Sequence, residues 1–189
     1  MSDLIEGYLN GVRRCLNEIN KAEVEEVVNA IFDAYQRHRH IFIFGNGGSA
    51  TTASHFACDL AKGTVGEGEV HLPVISLTDN VALMTAISND IGYASVFKEQ
   101  LINLLREGDV VIGISASGNS PNVLSAIEYA RARGALTIGM CGFGGGKLVQ
   151  VAEKALTFSA EDYGQVEDVH MVLVHLISRQ VHGRIESEK

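Results

Sequence analysis

Cysteine, basic side chains and long apolar runs are all scarce in this 189-residue chain. The three cysteines, Cys15, Cys58 and Cys141, are odd in number and widely spaced, so they make neither a CxxC metal knuckle nor an evident disulfide framework. No apolar run approaches the roughly 18 residues of a membrane span. The opening "MSDLIEGYLNG" lacks the charged head and greasy middle of a signal peptide. Together these absences lead to the expectation of a cytoplasmic protein. Fifteen Lys and Arg against 23 Asp and Glu leave a formal charge of −8. That balance argues against nucleic acid or an anionic membrane as partner. Repeats, linkers and low-complexity tracts are missing too, and 189 residues can bury one ordinary core. The expectation is a single domain over 1–189.

What is present is a change of rhythm near residue 38. Leu4, Ile5, Tyr8, Leu9, Val12, Cys15, Leu16 and Ile19 recur at helical spacing, as do Val24, Val27, Val28, Ile31, Phe32 and Tyr35. Residues 1–38 therefore read as two amphipathic helices. Five short apolar runs follow, "HIFIFG", "LPVISL", "DVVIGIS", "ALTIGMCG" and "KALTFS", with helical stretches between them. Fully apolar strands alternating with helices predict α/β architecture, a parallel sheet covered on both faces. A last helix, about 166–185, carries apolar positions on most of its circumference, with Glu167, His170 and His175 among its polar ones. It should pack in a core or against another subunit.

Ligands of open parallel sheets sit beyond the carboxyl ends of the strands, where helix N-termini aim N–H groups outward. Two strands here run into suitable loops, "GNGGSA" after Phe44 and "SASGNSPN" after Ile114. In the second, Ser115, Ser117 and Ser120 cluster around Gly118, and Ser120-Pro121 reads as an N-cap followed by proline at the first helical position. Hydroxyls, amides and a helix dipole can bind a phosphate without lysine or arginine. A plain serine-capped turn would carry fewer hydroxyls. "GNGGSA" formally satisfies the dinucleotide fingerprint, yet the next strand, whose end should offer an acidic residue about 20 positions on, ends near Asp79, 34 positions after Gly45. A GxxxxGKS/T loop is also missing, which disfavours a nucleoside triphosphate. The small residues suit a sugar lying close to the backbone.

His55 and Asp59 are four apart on the helix launched by the first loop, hence on one face. Glu167 and His175, eight apart on the last helix, lie about 80° around its axis and can share a face. Four such residues would suit zinc or a similar divalent ion. Histidines without any metal would show the same spacing, and His170 could replace His175. Asn89 and Asp90, in "AISND", could meet a hydroxylated ligand or simply end a helix.

Taken together, "FGNGGSA…HFACDL", "ISND", "ISASGNSPNV" and "EDVHMVLVH" resemble the sugar isomerase (SIS) domain family, most closely its phosphoheptose isomerases. The resemblance spans nearly the whole chain. It implies a three-layer α/β sandwich with a five-stranded parallel sheet (the flavodoxin-like SIS fold), preceded by two N-terminal helices that take part in oligomerisation. It further implies a homotetramer with active sites at subunit interfaces. The implied reaction converts sedoheptulose 7-phosphate to D-glycero-D-manno-heptose 7-phosphate for bacterial lipopolysaccharide or capsule heptose. Carried over by motif, Ser115, Ala116, Ser117 and Ser120 take the phosphate. Asn46, Gly47, Gly48, Asn89, Asp90 and Glu167 fall on substrate positions. His55, Asp59, Glu167 and His175 fall on zinc positions, one ion per subunit, with Asp59 also the base and His175 the acid. Two departures stand out: Asp59 replaces the family's usual glutamate, and Glu167 its usual glutamine. "YGQVED" is also one residue shorter than the common form. Alternatives are an isomerase of another sugar phosphate, or a non-catalytic SIS protein that binds the DnaA replication initiator. That branch lacks the last-helix histidine that is present here as His175.

Overall fold

The computed structural model describes residues 2–63, 71–160 and 162–188. Helices α1 (Ser2–Glu18) and α2 (Lys21–Gln36) lead into β1 (Ile41–Gly45), α3 (Gly48–Gly63), β2 (Val74–Ser76) and α4 (Val81–Asp90). A 3-10 turn at Tyr93–Ser95 precedes α5 (Val96–Leu104), β3 (Val110–Ile114), α6 (Pro121–Ala132) and β4 (Leu136–Cys141). The short α7 (Leu148–Val151), β5 (Lys154–Thr157) and the long α8 (Tyr163–Ser187) complete the chain.

The strands form one sheet in the order β2-β1-β3-β4-β5, every pairing parallel. Alternation along β1 shows how the two covers arise. Ile41 and Ile43 enter the apolar cluster beneath α2, α3 and α8, whereas Phe42 and Phe44 enter the cluster beneath α5 and α6. Every residue of β1 and β3 is buried, which is why these runs read as continuous rather than alternating apolar sequence. The chain leaves β1 toward β2 on one side and returns to β3 on the other. The β1–β3 boundary is thus the switch point, where the loops after neighbouring strands diverge and open a crevice.

The expected strand over 72–77 shrinks to three residues. It pairs only with β1, and Pro73 has no N–H to extend the ladder; its carbonyl still accepts from Ile41 N at 2.9 Å. The last helix is longer than its apolar pattern, because Asp162 caps it by accepting from Gln165 N at 2.9 Å. Helix α1 docks on that same end. The Tyr8 hydroxyl donates to Asp168 Oδ2 at 2.7 Å, a bond that pushes the phenol up to about 12. Ser159 N donates to Glu18 Oε2 at 2.7 Å.

Helix α8 buries one of its two candidate histidines and exposes the other. His170 shares the buried side with Val166, Val169, Leu173 and Val174 and meets the Phe158 ring edge-on at 5.6 Å. Burial drives its pKa down to about 4, against a smaller opposing pull from the Cys141 backbone. The folded protein therefore keeps His170 neutral, while the unfolded chain takes up a proton below about pH 6.5. Stability should fall as pH drops from about 6.5 toward about 4, by up to about 3 kcal/mol for this group. A His170→Leu variant is expected to lose that part of the decline in denaturant midpoint against pH. An identical decline in variant and parent would contradict the assignment.

Candidate active site

Two loops leave adjacent strands at the switch point. The loop after β3 folds its hydroxyls inward: Ser115 is buried and its Oγ lies 3.0 Å from Ser120 Oγ. Ser120 holds the N-cap position of α6 yet makes no side-chain cap bond, a difference from the sequence expectation, because its hydroxyl is engaged by Ser115. Gly118 N donates to the Ser115 carbonyl at 2.9 Å and closes the turn with φ +64°. Ser117 Oγ accepts from Asn119 N at 3.3 Å, and the buried Ala116 accepts from Gly142 N at 2.9 Å.

A third loop, overlooked at the sequence level, holds this one in place. "GFGGGK" follows β4 with positive φ at Phe143, Gly144, Gly145 and Gly146. Leu148 N donates to the Gly118 carbonyl at 2.9 Å, and Lys147 N to Asn119 Oδ1 at 3.2 Å. Four successive residues with left-handed backbone signal a built turn, and the triple glycine was the mark that could have revealed it.

In the loop after β1, Gly47 adopts φ +56° and Gly48 starts α3. A Cβ on Gly48 would collide with the Glu167 carboxylate, so that glycine lets α8 bring Glu167 against the loop. Asn46 is hydrogen-bonded to Asn122 of α6 and to Tyr93. Asn89 and Asp90 end α4 as expected, both exposed, with Asn89 Nδ2 donating to Asp90 Oδ1 at 2.7 Å.

The packing of α3 on α8 unites three of the four expected metal residues. His55 Nε2 lies 3.0 Å from His175 Nε2 and 3.3 Å from Asp59 Oδ2, and His175 Nε2 lies 3.9 Å from that same oxygen. All three donor atoms fall within 4.8 Å of one another. A tetrahedral zinc with bonds near 2.1 Å separates its ligands by about 3.4 Å, so the triangle has the right size. Two imidazoles and a carboxylate also match zinc's preference for nitrogen and oxygen. Glu167 is a correction: it does not join this cluster. Eight residues of helix set it about 12 Å along the axis from His175, over Gly48 instead.

The cluster is open to solvent. On one side lies a cavity of about 510 Å³ lined by Ala50, Thr51, Ser54, His55 and Thr78. On the other, a groove of about 540 Å³ runs past Asp59 and His175 to Lys62, Ser178, Arg179 and His182. His182 is 3.2 Å from Glu186, a partner the sequence did not disclose.

A parallel sheet in this order, with hydroxyl and glycine loops at its switch point and a His-Asp-His triangle on the flanking helices, defines a doubly wound α/β ligand-binding domain. The SIS domain family matches residues 7–142. A probable phosphoheptose isomerase of Thermoplasma volcanium is 35% identical over 173 residues, 92% of this chain and 88% of its own length. The phosphoheptose isomerase of Geobacter sulfurreducens is 34% identical over 191 residues, covering 98% of this chain and 99% of its own. Among solved structures, the phosphoheptose isomerases of Francisella tularensis and Neisseria gonorrhoeae superpose with TM-scores of 0.88 and 0.87 at 25% and 26% identity, over 96% of each chain. The chain belongs to the SIS domain family, among its phosphoheptose isomerases.

Proposed function

We propose that this protein is an aldose-ketose isomerase that converts sedoheptulose 7-phosphate to D-glycero-D-manno-heptose 7-phosphate through an enediol. The observation that carries the reading is the convergence of His55, Asp59 and His175 within 4.8 Å in a chain that also gathers the Ser115 and Ser120 hydroxyls at the switch point of its sheet. In this mechanism Ser115, Ser117, Ser120 and the Ala116 backbone hold the phosphate, so that binding energy far from the reacting carbons becomes orientation at C1 and C2. Asn46, Gly47 and Gly48, with Asn89 and Asp90, contact the sugar chain. Glu167, lying over Gly48, joins that substrate wall. Asp59 removes the proton from carbon, and His175 delivers a proton to oxygen. His55, Asp59 and His175 would hold a zinc ion, which when bound polarises the carbonyl or fixes the two reacting groups.

The same reading makes the protein a cytoplasmic homotetramer with sites at subunit boundaries. Its support is where apolar surface remains exposed. Val172 and Leu176 flank His175 on the outside of α8, and Leu4, Ile5 and Leu9 are exposed on α1. Helix α2 instead buries Val24, Val27, Val28 and Ile31 against the core, so α1 supplies the oligomer contact of the N-terminal pair. Among the described residues no helix is long and apolar enough to cross a membrane.

Incubation with sedoheptulose 7-phosphate in deuterated water tests the proposal. Deuterium should enter at C2 of the aldose product, and purified protein should carry close to one zinc per subunit. No exchange in metal-replete protein would refute the isomerase assignment.

A further inference from the structure

Asn46, in the sugar loop, and Asn122, on the first turn of α6, are 76 positions apart and face each other as a closed amide pair. Asn46 Nδ2 donates to Asn122 Oδ1 at 2.9 Å, and Asn122 Nδ2 donates back to Asn46 Oδ1 at 2.8 Å. Asn122 is 1% exposed, and its Oδ1 also accepts from Val123 N at 3.0 Å. The Val123 amide can only donate, so it fixes which end of the Asn122 carboxamide is oxygen. That choice propagates. It makes Asn46 Nδ2 the donor and Asn46 Oδ1 the acceptor, and the Tyr93 hydroxyl, 2.7 Å away, must then donate to that oxygen. Both lone pairs of Asn46 Oδ1 are thereby used. One Asn46 amide proton is left over, on a residue that is only partly buried.

We infer that Asn122 is a positioning residue that holds Asn46 in a single orientation toward the sugar, with Tyr93 as a second clip. The clamp ties the sugar loop to the helix that begins at the phosphate loop. A substrate anchored by its phosphate therefore meets a sugar contact already set in register with it. The Tyr93 clip fastens the segment carrying Asn89 and Asp90 to the same carboxamide. The inference rests on the isomerase reading for its kinetic consequence and on the hydrogen bonds alone for its geometry.

The test has two arms. In the kinetic arm, Asn46→Ala and Asn122→Ala should each lower kcat/KM on sedoheptulose 7-phosphate about tenfold or more, and the double variant should fall no further than Asn46→Ala alone. The inhibition constant of inorganic phosphate should stay within about twofold, because the serine loop is untouched. Multiplying losses, or phosphate inhibition that weakens as much as turnover, would overturn the positioning role. Tyr93→Phe guards against misfolding of the buried substitution: Tyr93 is 53% exposed, and losing its hydroxyl should lower kcat/KM about threefold. Unchanged kinetics in Tyr93→Phe together with a misfolded Asn122→Ala would count against the inference. In the second arm, nitrogen-15 NMR follows the Asn46 side-chain amide. One of its protons, the one given to Asn122 Oδ1, should exchange slowly in the parent and in Tyr93→Phe, and quickly in Asn122→Ala, which removes its acceptor. Fast exchange in the parent would overturn the clamp. If the parent fails to isomerise, the functional reading falls and this second arm still decides the geometry.

Discussion

Truncating His175 to alanine should lower kcat by about 10² to 10⁴, the range expected when a positioned acid-base group is lost. The fold should survive. His175 is 54% exposed at its side chain, on the outer face of α8, so its removal opens no core cavity. Asp59→Asn keeps the shape while removing the charge and should lose activity on a similar scale. Its carboxylate oxygen stands 3.3 Å from His55 Nε2 and 3.9 Å from His175 Nε2, and an amide can neither accept the proton from carbon nor balance two imidazoles around a cation. Zinc content separates the two contributions. His55→Ala should lower bound metal at least as much as turnover, whereas Asp59 and His175 variants reloaded with zinc should stay inactive. Should either folded, zinc-replete variant retain turnover within about threefold of the parent, the chemistry does not belong to that residue.

The legibility of this site followed the range of the interactions that build it. Short-range features were readable. His55 and Asp59 are one helical turn apart, and Ser115 to Ser120 occupy one turn, so chain geometry alone brings each set together. The apolar runs likewise predicted a parallel sheet because burial on both faces removes alternation, as β1 and β3 show. Features set by packing were not. His170 and His175 both fit the helical pattern, and only the contact of α8 with Phe158 on one side and α3 on the other buries the first and exposes the second. Glu167 shares an angular sector with His175, but angle says nothing of distance along the axis, and that distance keeps it from the triangle. The Asn46–Asn122 pair spans 76 positions, and neither residue type announces its partner.

Gly118→Ala should be the most damaging single-methyl substitution in the phosphate loop. The residue sits at φ +64°, where an L side chain costs about 1 to 2 kcal/mol, and its new Cβ would run into the Gly145 carbonyl oxygen. Backbone cannot rotate aside as a long side chain can, so overpacking should add about 1 to 3 kcal/mol. Relief requires the serine loop to part from the triple-glycine loop, breaking the Leu148 N to Gly118 carbonyl bond of 2.9 Å. Even an ångström of movement at the phosphate displaces C1 and C2 from the reacting groups, and kcat/KM should fall by about 10² or more. Gly144→Ala is the matched control. It shares the left-handed backbone, at φ +75°, but a Cβ there meets nothing within 4 Å. It should therefore lose about 1 kcal/mol of stability and keep turnover near the parent. Equal activity in the two variants would mean that contact between the two loops does not set the phosphate position.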